Sequence, residues 1–462
     1  MTTEAFDNSR ASSGIRSLVD RDALGAVVLA ASIPFLFMHE RFQPALDVTV
    51  GATEIELRIS DLALLAVFAA ATMAAVRGGL SRLASSRLLW ISGGLLLAWL
   101  AFEAFRPSSL HDDHVGDHLV SYAKLVEYAL LAVCVPLVVR RRQDLVLITG
   151  AAVLWSAVAT GVAFLQLLGF DIFAVTTSGW RYSSFLGRHD LAGLSLLAAT
   201  LAAAGIVAGE HDFPSRQLYR VGLVFGTLGL VLAGSVAGAG GFAIGSVGLW
   251  LASRRRFRPS RRRAMSLAAL VAVVIVGVTF ARSAALEDFL RFAGLHGDER
   301  AQGVESYSQR TVLAYIGLRI AQDHPVLGVG WQRSSRPDVF EPYVDDARRR
   351  FPDVVELAFP AEGREWGVQN LYIQMLADAG VVGLALLLLV GASALALAWR
   401  AAARAPTPWA VGSGLLVVGA LVAIAGEWAS LGIVAGIPLQ AATCLLLGLA
   451  AAGAAASAEV PQ

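Results

Sequence analysis

The chain has 462 residues, 56% of them hydrophobic and only 16% charged against about a quarter in soluble domains, and its mean hydropathy is +0.62. Such a composition excludes a soluble enzyme or binding module and defines an integral membrane protein, all-α by the length of its apolar runs. With 37 basic and 36 acidic residues the net charge is +1, which gives no electrostatic case for nucleic acid as a partner.

Residues 1–22 are polar, with no apolar stretch followed by a small-residue cleavage site, and read as a cytoplasmic tail. A hydrocarbon core of about 30 Å requires roughly 20 apolar residues per helix. About twelve runs answer to that length, nine within 23–281 and three within 371–458. Those near Ala23–Met38, Ile59–Val76, Leu88–Phe105 and Val120–Val139 are short or interrupted, whereas Leu145–Phe170, Leu191–Gly209, Ala264–Ala281, Ala379–Trp399, Ala405–Gly426 and Trp428–Ala458 are clear. Val221–Ser253 would make a helix of about 50 Å, too long for one crossing. It is basic at both ends, with Arg216 and Arg220 before it and the arginines of 254–263 after it, so the positive-inside rule requires an even number of crossings. Ser235, Gly238, Gly240 and Gly241 offer the turn of that hairpin.

The same rule places Arg77, Arg82, Arg87, Arg140–Arg142, Arg400 and Arg404 on the cytoplasmic side and both termini with them, in an inner (plasma) membrane protein. Cys134 and Cys444 lie inside apolar runs and form neither a disulfide framework nor a metal motif. The outer run His111-Asp112-Asp113-His114 has metal-ligand chemistry, but on an exposed loop it reads as solvated, and neither metal nor cofactor is expected.

Residues 282–370 are too long and too charged for a connector and are read as one extracytoplasmic loop domain before the tenth span. Within it Arg310–Asp323 carries an apolar helical face of Val312, Leu313, Tyr315, Ile316, Leu318 and Ile320, with Ser308 placed to cap its start and Pro325 to end it. A glycine-rich turn, Gly328-Val329-Gly330-Trp331, follows, and Gln369-Asn370-Leu371-Tyr372 opens the next span. The middles of the long spans are almost free of charge, unlike those of a transporter. Polar residues gather instead in 179–190 and the large loop, an arrangement suited to an enzyme acting on a lipid-linked, water-exposed head group.

Arg310, the run Ala321-Gln322-Asp323-His324-Pro325-Val326-Leu327-Gly328-Val329-Gly330, and Gln369-Asn370 followed by Gly380 and Gly383 resemble the signature of the O-antigen ligase and O-antigen polymerase superfamily. Arg181-Tyr182-Ser183-Ser184-Phe185 through Asp190-Leu191-Ala192 resembles the family's outer segment before an earlier span. The resemblance implies a GT-C-like membrane glycosyltransferase that moves a glycan from a polyprenyl-diphosphate-linked donor to a hydroxyl on a lipid or glycan acceptor. Departure of a polyprenyl diphosphate develops negative charge, which guanidinium forks match. Arg310, Arg181 and Arg188 are the candidates, set against a reading in which they only pair with carboxylates or lipid phosphates.

Three departures stand out. Gln369 replaces the family's histidine and cannot take a proton, Asp190 beside His189 replaces its asparagine, and Ser235-Val236-Ala237-Gly238 lacks an expected arginine. If the chain is active, the base moves elsewhere: His189 and Asp190 near Arg181 are the catalytic candidates with Arg310, ahead of His324 and Glu365. His324, Gln369 and Asn370 are expected to bind substrate, although a histidine directly before a helix-ending proline is more often structural. Trp331 and Trp366 have the chemistry to stack on sugar rings, with interfacial anchoring the more common use. The alternatives are a catalytically silent homologue that binds lipid-linked glycan, and a polysaccharide flippase or exporter.

Overall fold

A computed structural model describes residues 23–50, 53–106, 109, 115–173, 181–209, 215–254, 256, 259–292, 306–433 and 437–458. The 1–22 tail and the His111–His114 run lie outside the described residues. In hydrocarbon a backbone N–H or C=O has no water to pair with, and a helix satisfies both within one segment. Helices accordingly make up most of the described residues. In order they are α1 (Leu24–Leu36), α2 (Ile59–Val76), α3 (Arg87–Phe105, led in by a 3-10 run Gly79–Ser86), α4 (Val115–Val138), α5 (Arg142–Leu167), α6 (Arg188–Ala208), α7 (Arg216–Val221), α8 (Thr227–Ala233), α9 (Val236–Arg254), α10 (Arg261–Ala281), α11 (Ser283–Phe292), α12 (Ser306–Asp323), α13 (Pro337–Arg350), α14 (Leu371–Arg404), α15 (Pro408–Glu427) and α16 (Pro438–Ala458).

Among the described residues ten helices are long and apolar enough to cross a membrane. Two further apolar pieces are α1, which is shorter, and α7–α8, joined by a π-helical turn over Gly222–Gly226. The expectation of helices alone misses a hairpin, β1 (Ala45–Val50) paired antiparallel with β2 (Thr53–Arg58) in the register Leu46↔Leu57 and Val48↔Ile55. Those apolar residues alternate with polar ones, the period of a strand.

The long run 221–253 does break, but not at the expected glycines. Gly234 ends α8 in the left-handed region (φ +58°), and Ser235 leads into α9. Gly238 and Gly241 lie inside α9, where the absence of a side chain serves packing. A Cβ on Gly241 would strike the carbonyl of Ala423, and one on Gly245 the carbonyl of Gly419, both in α15. On the facing helix, a Cβ on Gly426 would strike the Cα of Gly241. Small residues let two helix backbones approach in this way. The expected run Trp428–Ala458 is also divided: Trp428–Ser430 is a short 3-10 turn with Leu431 extended, and α16 begins at Pro438.

At the centre stands α6, surrounded by α5, α8, α9, α10, α15 and α16. Outside the bundle, α12 and α13 close over their own core of Val312, Ile316, Ile320, Val329, Phe340, Val344, Ala347 and Phe359, with Ala377 contributed by α14. The expected apolar face of α12 is therefore largely buried, although Leu318 is exposed and Tyr315 turns to Asp346 (2.7 Å). The helix begins at Ser306, so Ser308 sits in its first turn and not at its cap.

The segment after α12 is latched to α14 through backbone. Val329 N donates to Ala377 O (2.9 Å), Gly330 N to Asp378 O (2.9 Å), and Val381 N to Pro325 O (2.8 Å). These bonds need a break in α14, supplied by Gly380 at φ +66°, ψ −171°. A Cβ there would land on the carbonyl of Val326, and one on Gly328 would land on the backbone of Asp378. Trp99 Nε1 donates to Ala379 O (2.9 Å) and Arg106 to Gly328 O (3.1 Å), which ties the latch to α3.

Candidate functional site

Where the ends of the central helices meet α12, a cavity of about 400 Å³ opens, lined by Arg181, His189, Gly234, Ser235, Val236, Ala237, Arg282, Arg310, Thr311, Ala314, Gln369, Asn370, Ala429 and Ser430. Its charged side chains arrive on different elements. Arg181 lies in the stretch before α6, held to the end of α8 by Tyr182 N to Leu232 O (2.9 Å) and by its own Nε to Ala233 O (3.2 Å). His189 is in the first turn of α6, and Arg282 caps the end of α10. Arg310 projects from α12. Asn370 caps α14, its Oδ1 accepting from the N–H groups of Tyr372 and Ile373 (3.1 Å each), while its Nδ2 donates to Ala429 O (2.7 Å).

A chain of hydrogen bonds crosses this space. Arg310 donates through Nε to Gln369 Oε1 (2.9 Å) and through Nη2 to His189 Nε2 (3.0 Å). His189 Nδ1 meets Glu427 Oε1 (3.1 Å), and Ser235 Oγ reaches both oxygens of the same carboxylate (2.9 Å each). Because a guanidinium only donates, Nε2 must be the acceptor and Nδ1 must carry the proton given to Glu427. Glu427 is fully buried, whereas the His189 side chain keeps 22% of its surface. Among the described residues, three guanidinium groups line the cavity against this one carboxylate beneath it, so the site favours an anion of more than one charge.

The structure thus brings together Arg181, His189, Arg310, Gln369 and Asn370. It does not bring Asp190, Arg188 or His324 to the cavity. Asp190 was expected to share Arg181's space, but its Oδ1 accepts from Leu439 N (3.0 Å) at the start of α16, a helix-terminus contact. Arg188 opens α6 half-buried and outside the lining. His324 is exposed, and its carbonyl accepts from Gly328 N (3.0 Å) to shape the turn into the latch. Trp331 is 1% exposed and packs with Leu100, Ala104, Met375 and Ala379, so it neither stacks on sugar nor anchors at the interface. Trp366 is half-buried beside the Arg364 guanidinium, and Glu365 pairs with Arg336 (3.2 Å).

Three residues of the site escape the reading of the sequence: Arg282, Ser235 and Glu427. Glu427 carried a signal, since a lone carboxylate inside an apolar run marks function by default. Behind the stretch that carries Arg181, His39 N donates to Phe185 O (3.1 Å) and its Nδ1 accepts from Arg41 N (3.1 Å). Burial holds the His39 imidazole below its usual pKa against the opposing pull of Glu40. Between α12 and α13 the Tyr315 hydroxyl holds the Asp346 carboxyl below its usual range.

No curated protein matches the chain significantly. Residues 221–388, from the end of α7 through the Gly380 break of α14, match the family described as O-antigen ligase; the matched part holds Arg282, Arg310, Gln369 and Asn370, while Arg181, His189 and Glu427 flank it. The chain, a multi-pass membrane protein, is similar over this part to the O-antigen ligase family, a match that supports the O-antigen ligase and polymerase superfamily.

Proposed function

We propose that the protein is a glycosyltransferase of the inner (plasma) membrane that moves or polymerises a glycan from a polyprenyl diphosphate carrier onto an acceptor hydroxyl in cell-surface polysaccharide synthesis. The observation that carries this reading is the meeting of Arg181, Arg282 and Arg310 in one cavity at the ends of apolar helices. An acceptor hydroxyl attacks the anomeric carbon, the bond from that carbon to the diphosphate oxygen breaks, and the electron pair leaves on the diphosphate. The three guanidinium groups stand where that charge develops.

Sidedness supports the same reading. The cavity lies at the start of α6, α9 and α14 and at the end of α8, α10 and α15, so the opposite ends of these helices carry Arg216, Arg254, Arg261 and Arg404. With α1 and α7–α8 counted as spans, the chain makes twelve crossings in a GT-C-like arrangement. Both termini are cytoplasmic, and residues 282–370 form the extracytoplasmic segment. A second reading, a silent homologue that holds lipid-linked glycan, draws on Gln369 at the family's histidine position.

The test is glycan transfer by the purified chain in proteoliposomes with a lipid-diphosphate glycan donor. Arg310→Ala should lower the rate about a hundred- to a thousand-fold, as loss of one preorganised donor does, and Arg310→Lys should recover only part of it. Full output from Arg310→Ala overturns the assignment.

A further inference from the structure

The proton of the acceptor hydroxyl needs a destination, and Gln369 cannot provide one. We infer that the buried Glu427–His189 pair accepts it, and that Arg310 masks this pair until the donor's diphosphate draws the guanidinium away. The inference rests on the glycosyl-transfer reading above and assigns within it a base, its positioning residue and an order of events.

The hydrogen-bond chain carries the argument. His189 Nδ1–H is committed to Glu427, itself fixed by Ser235 Oγ, which in turn accepts from Gly238 N (3.0 Å). The tautomer with its lone pair on Nε2 is thereby set, and Nε2 faces the cavity. A carboxylate behind the imidazole orients it and stabilises the imidazolium formed on proton transfer. Among the described residues, the charged groups that act on the ring are Glu427 from α15, Arg310 from α12 and Arg181 from the stretch before α6. Asp190, next in sequence, is engaged with Leu439 N.

Arg310 occupies the lone pair that an acceptor would use. A neutral imidazole is a weak partner for a guanidinium, and a diphosphate is a strong, bidentate one. Turning Arg310 toward the leaving group therefore frees Nε2 at the moment the donor is in place. In the transfer step the hydroxyl oxygen bonds to the anomeric carbon, the carbon–oxygen bond to the diphosphate breaks with its electron pair leaving on the diphosphate, and the hydroxyl proton passes to His189 Nε2. The imidazolium then returns that proton to solvent. Without donor the base stays covered, which disfavours a water molecule being activated in the acceptor's place.

The experiment uses the full chain in proteoliposomes, with donor and acceptor kinetics measured beside binding of farnesyl diphosphate. His189→Ala should lower kcat about a hundred- to ten-thousand-fold, leave the donor KM and farnesyl diphosphate binding unchanged, and recover in part with added imidazole. Glu427→Gln should lower kcat with KM unchanged, and Glu427→Asp should restore part of it. Independently of activity, Arg310→Ala, and inorganic pyrophosphate added to the wild type, should each speed carbethoxylation of His189 by diethyl pyrocarbonate, followed by peptide mass spectrometry. An active wild type whose His189→Ala variant keeps full kcat, or loses it with no response to imidazole, overturns the base. Carbethoxylation that neither treatment speeds overturns the masking. A wild type that binds farnesyl diphosphate but transfers no glycan sinks the transferase reading itself.

Discussion

Gly380→Ala isolates the latch from the chemistry. At φ +66°, ψ −171° Gly380 occupies backbone space that residues with a side chain scarcely visit, and placing one there costs about 1–3 kcal/mol. The new Cβ would also fall on the Val326 carbonyl, so the 325–330 segment must shift from α14. Three backbone bonds are then at risk, those of Val329, Gly330 and Val381, each worth about 1 kcal/mol. The variant should lose about 2 kcal/mol if strain alone is felt and about 5 kcal/mol if the latch opens. The latch follows α12 directly, so its opening also moves Arg310 relative to His189, and transfer should fall with stability. Gly391→Ala is the control, because it lies in the same helix with open space where its Cβ would go. Thermal unfolding in detergent, followed by tryptophan fluorescence, reads the difference as a melting temperature lower by several degrees for Gly380→Ala alone. Equal melting temperatures and equal transfer for the two variants would refute the reasoning.

Other consequences are open to the same assays. Gly241→Val should pry α9 from α15, separate Ser235 from Glu427, and cost about 1–3 kcal/mol as overpacking does, seen as lower folded yield and melting temperature; wild-type yield and activity would argue against a close glycine contact. Asp190→Asn keeps an acceptor for Leu439 N and should hold kcat within about twofold, since an aspartate outside the cavity supplies none of the general-base catalysis that is worth about a hundredfold or more. Asp190→Ala should lose about 1 kcal/mol of stability, and a collapse of kcat in both would return Asp190 to the catalytic list. His39 is held below its usual pKa, so the folded chain prefers it neutral and the unfolded chain binds the extra proton. Its contribution is complete above about pH 6.5 and fades as the pH falls below that value. Melting temperature should therefore drop on acidification through this window, and less steeply in His39→Asn; parallel curves would count against the assignment.

How much of this was legible in the sequence depends on the kind of signal. Apolar runs and arginine clusters show most spans, because hydrocarbon thickness and insertion act on any residue of the right polarity. The π-helical turn of Gly222–Gly226 and the thirteen residues of α1 blur two of them. Glycines proved ambiguous: Gly234 turns the chain, while Gly238 and Gly241 serve a helix contact, and composition alone does not separate the two uses. Arg310, Arg181 and His189 could be named because they sit in recognisable runs. Glu427 comes 238 residues after His189, and only packing makes them neighbours. Asp190 shows the converse, since adjacency to His189 on a helix sends the two side chains about 100° apart.

Among the ten long apolar helices of the described residues, the one that carries His189 is the most buried within the protein, at 94%. Its solvent is other helices, which explains why alanine, glycine, serine and threonine can stand along α6 where lipid-facing spans such as α10 bring Val, Ile and Phe to their surfaces. Hydrophobic mismatch acts first on the outer helices, through tilt and local thinning. A base mounted on α6 is therefore mechanically insulated, so changes in acyl-chain length should alter how the carrier lipid reaches the site before they alter the geometry of proton transfer.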